Sequence, residues 1–219
     1  MAGPLAAVRI LDLTTMVAGP VATRMLADQG ADVIKIEPPR GDLMRHFSPL
    51  RNRMSASFLS CNRNKRSLAV DLKTVDGLEI VHKLIATADV LVHNFRPGAA
   101  ERLGLGEDAV RRIRQDIIYV SISGFGDNGP YAGQRAYDPV IQALSGLAEI
   151  QTDRDTGRPK MVRTIIADNT TALTAAQAIT AALFAQERSG QGQARAHRDV
   201  GRNDCLSLAR GHAQPDLRG

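Results

Sequence analysis

The stretch VRILDLTTMVAGPVATRMLADQGADVIKIE, Val8 to Glu37, decides the fold. It opens with a short aliphatic run, Val8 to Leu13, of strand length. Ala18-Gly19-Pro20 and a helical stretch follow; Pro20 suits the first turn of a helix and Gly30 suits its end. Asp32 to Glu37 then supplies a second strand through Val33, Ile34 and Ile36. Working outward, SLAVDL (Ser67 to Leu72), DVLVH (Asp89 to His93) and IIYVSIS (Ile117 to Ser123) read as three more strands. Val75 to Ala88 carries Leu78, Val81, Leu84 and Ile85 at helical spacing, and shorter helical pieces start at Glu101 and Glu107. Strands alternating with helices predict an α/β fold, an open parallel sheet with helices on both faces. Further along, Asp138-Pro139 reads as an N-cap followed by the first helical position, with Val140, Ile141, Leu144 and Leu147 as the apolar face. Thr152 to Lys160 is a polar loop, and an Ala-rich helix is expected from Thr170 to Gln186, stopped by Ser189-Gly190.

A length of 219 residues fits one large domain or one and a half ordinary ones, and with 43% apolar and 23% charged residues wholesale disorder is not expected. Aromatic residues are only 4%, so the core must be aliphatic. Cys61 and Cys205 stand far apart and match no metal or redox spacing, so no disulfide framework is expected and no metal site is assigned. Met1-Ala2-Gly3-Pro4 lacks the basic start and apolar stretch of a signal peptide. No apolar run reaches the ~18 residues of a membrane span. A soluble, cytoplasmic protein is the expectation. The final residues, 194–219, change character, with Arg and Asp scattered among few large aliphatics, and read as a mobile tail.

Charge is unevenly spread. Between Arg40 and Arg66 lie Arg40, Arg45, Arg51, Arg53, Arg63, Lys65 and Arg66 against the single acid Asp42, an excess that alone covers the chain's net charge of +5. This points to a local anion site, because open α/β sheets bind ligands in the loops at their strand ends. Several phosphates would suit the Arg forks. A solvated basic surface is the plainer alternative, and nucleic acid is disfavoured because only Phe47 and Phe58 could stack on bases. Gly124-x-Gly126-x-x-Gly129 follows a strand like a dinucleotide fingerprint, yet Pro130-Tyr131-Ala132-Gly133 after it breaks helices, so a turn-rich connection beside a cleft is expected. Asp168, ahead of the Ala-rich helix, reads either as a cap or as a carboxylate kept ionised by the helix dipole and available as a nucleophile.

Taken together these blocks resemble the class III CoA-transferase family, which holds formyl-CoA and carnitine-related CoA-transferases and the α-methylacyl-CoA racemases. The resemblance covers about Val8 to Gln193. It rests on RILDLTTMVAGP (Arg9 to Pro20), LADQGADVIKIEPPRGD (Leu26 to Asp42), NRNKRSLAVDLK (Asn62 to Lys73), DVLVHNFRPG (Asp89 to Gly98), GFGDNGPYAGQRAYDPVIQALSG (Gly124 to Gly146) and the Asp168 helix ending in SGQGQ (Ser189 to Gln193).

The resemblance implies a Rossmann-like large domain over residues 1–193 that holds coenzyme A as substrate, with no tightly bound cofactor, and an interlocked homodimer. It implies that Asp168 attacks an acyl-CoA thioester, passing through an aspartyl-acyl anhydride and an aspartyl-CoA thioester before a free carboxylic acid takes the CoA. Arg40, Lys65, Arg66, Asn94, Phe95, Arg96 and Arg102 are implied CoA contacts, with Val17 and Leu72 beside them. Tyr137 falls where formyl-CoA-type members keep a Tyr near the thioester. Racemases place His there as an acid/base partner, so the transferase reading is favoured over the racemase one. Val17 replaces a Gln that gates oxalate chemistry, so a different acid is expected. After GQGQ the family pattern stops, and residues 194–219 resemble readthrough in another frame. The implied small domain would then be missing, leaving either a transferase of impaired activity or a non-catalytic CoA-binding remnant.

Overall fold

The structure is a computed structural model that describes residues 3–126 and 129–189. The expected tail, 194–219, lies outside the described residues. In chain order the elements are β1 (Arg9–Leu13), α1 (Ala18–Asp28), β2 (Asp32–Glu37), a 3-10 turn (Leu43–His46), β3 (Leu50–Arg51), β4 (Met54–Ser55), α2 (Ala56–Asn62), β5 (Lys65–Ala69), α3 (Val75–Ile85), β6 (Val90–His93), α4 (Ala99–Arg102), α5 (Glu107–Ile113), β7 (Ile118–Ser121), α6 (Asp138–Leu144), α7 (Leu147–Ile150) and α8 (Ile166–Ser189).

Five strands form one parallel sheet in the order β5-β2-β1-β6-β7, and β3 and β4 make a separate small hairpin. The chain builds outward from β1 to β2 and β5, then crosses back to place β6 on the other side of β1. The order therefore reverses between β1 and β6, and the crevice beyond their C-terminal ends is where such sheets bind ligands.

Alternate residues of each strand face opposite layers. Ile10, Val33, Val90, Val92 and Val120 join Leu26 of α1 and Ile179 of α8 on one face. Leu11, Leu13, Ile34, Ile36 and Leu91 join Val81 and Ile85 of α3 and Val110 of α5 on the other. The α/β open sheet with helices on both faces is thus observed. α8 packs its small residues Ala172, Ala175, Ala176 and Ala182 inward with Ile179, a helical repeat that gives it a close seat beside α1.

Boundaries differ where the sequence pattern is weak. The third strand is Lys65–Ala69, two residues earlier than SLAVDL suggests. It is an edge strand, so Arg66 and Ser67 can face solvent and no apolar alternation is needed to hold it. The last helix begins at Ile166, four residues before Thr170, so Asp168 sits in its first turn instead of ahead of it. Asp138 is likewise the first residue of α6, with Tyr137 as the flanking cap residue. After the Gly124–Gly129 motif the chain runs through turns to α6 and opens no helix, so the helix N-terminus that a dinucleotide fingerprint needs is missing there.

Candidate active site

A buried polar network shapes the loops at the C-terminal ends of β1 and β2. Asp12 is fully buried; its carboxylate accepts from Thr14 N at 2.9 Å, Thr23 Oγ1 at 2.8 Å and Lys65 Nζ at 2.8 Å. Burial alone would raise the Asp12 carboxyl, but Lys65 and Lys35 outweigh it and hold it at about 2. Lys35 donates to Thr14 O at 2.8 Å and lies 3.0 Å from the Asp42 carboxylate. Asp42 in turn accepts from Met44 N at 2.9 Å. Thr14, fixed this way, leaves no room beside α1: a Cβ on Gly19 would meet Thr14 Cβ at 2.4 Å. Glu37 accepts both forks of Arg45 at 2.7 and 2.6 Å, and Ser67 Oγ at 2.7 Å. Burial opposes ionisation of Glu37 too, and these donors still hold it at about 2.

The loop after β6 is tied to the loop after β1. Asn94 donates from Nδ2 to Thr15 O at 2.8 Å and accepts from Thr15 N at 2.9 Å. Behind it, buried His93 donates from Nε2 to Tyr119 Oη at 2.8 Å, and the Tyr119 hydroxyl donates to Leu105 O at 2.9 Å. That leaves His93 Nδ1 to accept from Phe95 N at 3.2 Å. Burial pushes His93 down to about 4, so this arrangement is neutral at physiological pH. The residue types expected to touch a nucleotide here are therefore also a built scaffold for the loop.

Between these loops, the Gly124–Ala136 connection and the start of α8 lies a cleft of about 330 Å³. Asn94, Phe95, Arg96, Arg135, Tyr137, Asp138 and Asp168 all line it. Gly124 is required by close approach, since a Cβ there would lie 2.0 Å from Ala136 Cβ. Asp168 enters from the first turn of α8, half-buried, with its backbone N–H bound to Asp138 Oδ2 at 3.1 Å. Burial, reinforced by the facing Asp138 carboxylate, raises the Asp168 carboxyl to about 6. Tyr137 is 57% exposed at the cleft wall.

The other expected site residues are spread around this centre. Arg40 is exposed in the loop after β2, at the same edge of the sheet. Arg102 folds back so that its Nη1 lies 3.1 Å from where a Cβ on Gly98 would stand. Val17 is buried between the cleft residues Met16 and Ala18, and Leu72 packs against the α3 side of the core. Lys65 and Arg66 begin β5, at the opposite edge. The Lys65 ammonium is occupied by Asp12, Pro20 O and Asn62 Oδ1, and Arg66 forks onto Asp32 at 2.9 and 2.7 Å. Arg63 likewise pairs with Asp28.

Sequence reasoning missed Arg135, which stands outside the basic window. It also missed the role of Gln142, whose spacing of four from Asp138 on one helix face was the available signal. Among the described residues no group of three His, Cys, Asp or Glu is placed to hold a metal ion. No described helix is long and apolar enough to cross a membrane.

The family model for CoA-transferase family III matches residues 5–195. A protein of Agrobacterium fabrum named succinate–glutarate CoA-transferase is 40% identical over 198 residues, covering 87% of this chain and 49% of that protein. The succinyl-CoA:glutarate CoA-transferase of Mus musculus is 44% identical over 191 residues, covering 86% and 44%. A crystal structure of a CAIB/BAIF family protein from Brucella suis superposes with a TM-score of 0.86 at 36% identity, covering 95% of this chain and 55% of that one. The chain spans about half the length of the curated relatives it matches. The chain belongs to CoA-transferase family III.

Proposed function

We propose that this chain carries the nucleophile and the coenzyme A cleft of a CoA-transferase acting between an acyl-CoA and a free carboxylic acid. One observation carries the reading: the Asp168 carboxyl opens onto a cleft at the topological switch point, flanked by Arg96 and Arg135. A carboxylate held near 6 is ionised at neutral pH, yet it sits in partly desolvated surroundings that keep it reactive.

An Asp168 oxygen attacks the thioester carbonyl, the C–S bond breaks, and an aspartyl-acyl anhydride forms with release of CoA thiolate. The thiolate attacks the aspartyl carbonyl, expelling the donor acid as its carboxylate and leaving an aspartyl-CoA thioester. The acceptor carboxylate then attacks the acyl group of that thioester and displaces thiolate. Finally the thiolate takes the acceptor's acyl carbon and returns Asp168 as a carboxylate. Each step exchanges one leaving group for one nucleophile, so no further reactant is consumed. The Asp168 helix N-terminus and the two arginines offer positive potential where negative charge develops.

Arg40, Arg96 and Arg102, with Asn94 and Phe95, are assigned to the nucleotide end of coenzyme A, and Val17 and Leu72 to the packing behind it. Lys65 and Arg66 serve through the carboxylates they already hold. Small acids are the proposed substrates, a reading supported by relatives named for succinate, glutarate, formyl-CoA and oxalate and by the cleft volume.

Incubation with succinyl-CoA followed by hydroxylamine or borohydride, and peptide mass spectrometry, tests the reading. Modification at Asp168 is expected; an unmodified Asp168 in folded, CoA-saturated protein overturns it. Calorimetry with CoA beside an exchange assay separates exchange from CoA binding alone.

A further inference from the structure

Asp138 is 7% exposed and Gln142 2% exposed, and among the described residues no Lys, Arg or His forms an ion pair with Asp138. A buried carboxylate without a cation, set against a second carboxylate, works against folding and calls for a reason beyond packing. The bonds it makes supply one. Asp138 Oδ1 accepts from Gln142 Nε2 at 2.6 Å, and Asp138 Oδ2 accepts the Asp168 N–H at 3.1 Å. Gln142 Oε1 accepts Val162 N at 2.8 Å, and its Nε2 also donates to Thr164 O at 3.2 Å. The segment that leads into α8 is thus fastened to α6 at Val162, Thr164 and Asp168.

We infer that Asp138 and Gln142 form a clamp that positions Asp168 from outside its own helix, an inference that rests on the transferase reading of Asp168. Both are positioning residues. Asp138 accepts one of the N–H groups in the first turn of α8, so the direction in which Asp168 enters the cleft is set by α6. Because Tyr137 immediately precedes Asp138, the same bond fixes the spacing between the two cleft walls. The charge that Asp138 presents also accounts for part of the raised Asp168 carboxyl, after burial. The other charged groups around the cleft are Arg96 from the loop after β6 and Arg135 from the segment before α6, with Arg163 on the clamped segment itself.

Two variants of the 219-residue chain test the clamp without requiring turnover. Asp138→Asn removes the charge and keeps an acceptor for the Asp168 N–H; carbon-detected NMR titration should show the Asp168 midpoint falling by roughly one unit. Gln142→Leu unties the segment at nearly constant volume; exchange of the Val162 and Asp168 amides should quicken at least tenfold while β1 and β6 amides stay unchanged. A merely structural Asp138 would leave the Asp168 midpoint where it is. An unmoved midpoint together with unchanged exchange overturns the clamp, and if Asp138→Asn does not fold, unchanged exchange in Gln142→Leu overturns it alone. Both measurements use unreacted protein, so a wild-type Asp168 that never becomes acylated sinks the transferase reading by a separate route. Where wild-type acylation is seen, Gln142→Leu should lower its maximal rate at least tenfold with little change in CoA affinity.

Discussion

Asp168 binds its proton more tightly in the folded chain, near 6, than in an unfolded one, near 3.8. Ionisation therefore works against the fold, and stability falls as pH rises from about 4 through 6. Asp168→Asn removes that opposition. It should raise unfolding free energy by on the order of 1 kcal/mol at pH 7.5, after allowance for solvent screening, and by almost nothing at pH 4, as read by urea denaturation at both pH values. A gain of equal size at both would place the cause elsewhere than in charge. The sequence makes Asp168 visible as an acid at the start of a helix, but it assigns the cap to the wrong aspartate. Capping rules are local, and the acceptor that satisfies the Asp168 N–H comes from thirty residues earlier in the chain. Asp138, expected to cap α6, turns its oxygens to α8 and Gln142 instead.

At the scale of elements, β1 and β2 carry beside their apolar side chains a buried polar network of Asp12, Lys35, Asp42 and Lys65. Lys35 is 1% exposed in the middle of DVIKIE. Lys35→Met would strand the buried Asp42 carboxylate and free Thr14 O, at a cost of about 3–5 kcal/mol by thermal or chemical unfolding. Adding Asp42→Asn should recover part of that loss, and a single variant as stable as wild type would show the pair to be dispensable. The central strands were legible because burial on both faces demands the aliphatic runs of VRILDL, DVIKIE and DVLVH. SLAVDL starts two residues after the start of β5 because an edge strand carries no such demand. The hairpin of β3 and β4 has two residues in each strand, too little chain to show a period.

For the whole molecule, the basic window from Arg40 to Arg66 loses much of its apparent meaning on folding. Arg45, Arg63, Lys65 and Arg66 are each paired with Glu37, Asp28, Asp12 and Asp32, acids that lie outside the window in sequence. Charge counted within the window could not reveal this, because every partner lies before the window and, for all but Arg45, other elements stand between acid and cation. Calorimetry with CoA should accordingly divide the arginines. Arg96→Gln is expected to weaken binding roughly tenfold, the loss of one charge-assisted hydrogen bond of about 1.5 kcal/mol. Arg66→Gln should stay within about twofold, since its exposed pair with Asp32 contributes little. A reversed order would move the nucleotide to the other edge of the sheet.

The seating of α8 sets which wall of the cleft can give way. Its inward alanines and Ile179 belong to the layer that covers the sheet, and the bond from Asp138 ties the turn carrying Asp168 to α6. Any widening to admit a bulkier thioester must come from the opposite jaw, where Gly124 rests against Ala136 and the wall is made of turns. Substrate range in this chain is therefore a property to be engineered on that jaw, with the reacting carboxyl left as the fixed point of the geometry.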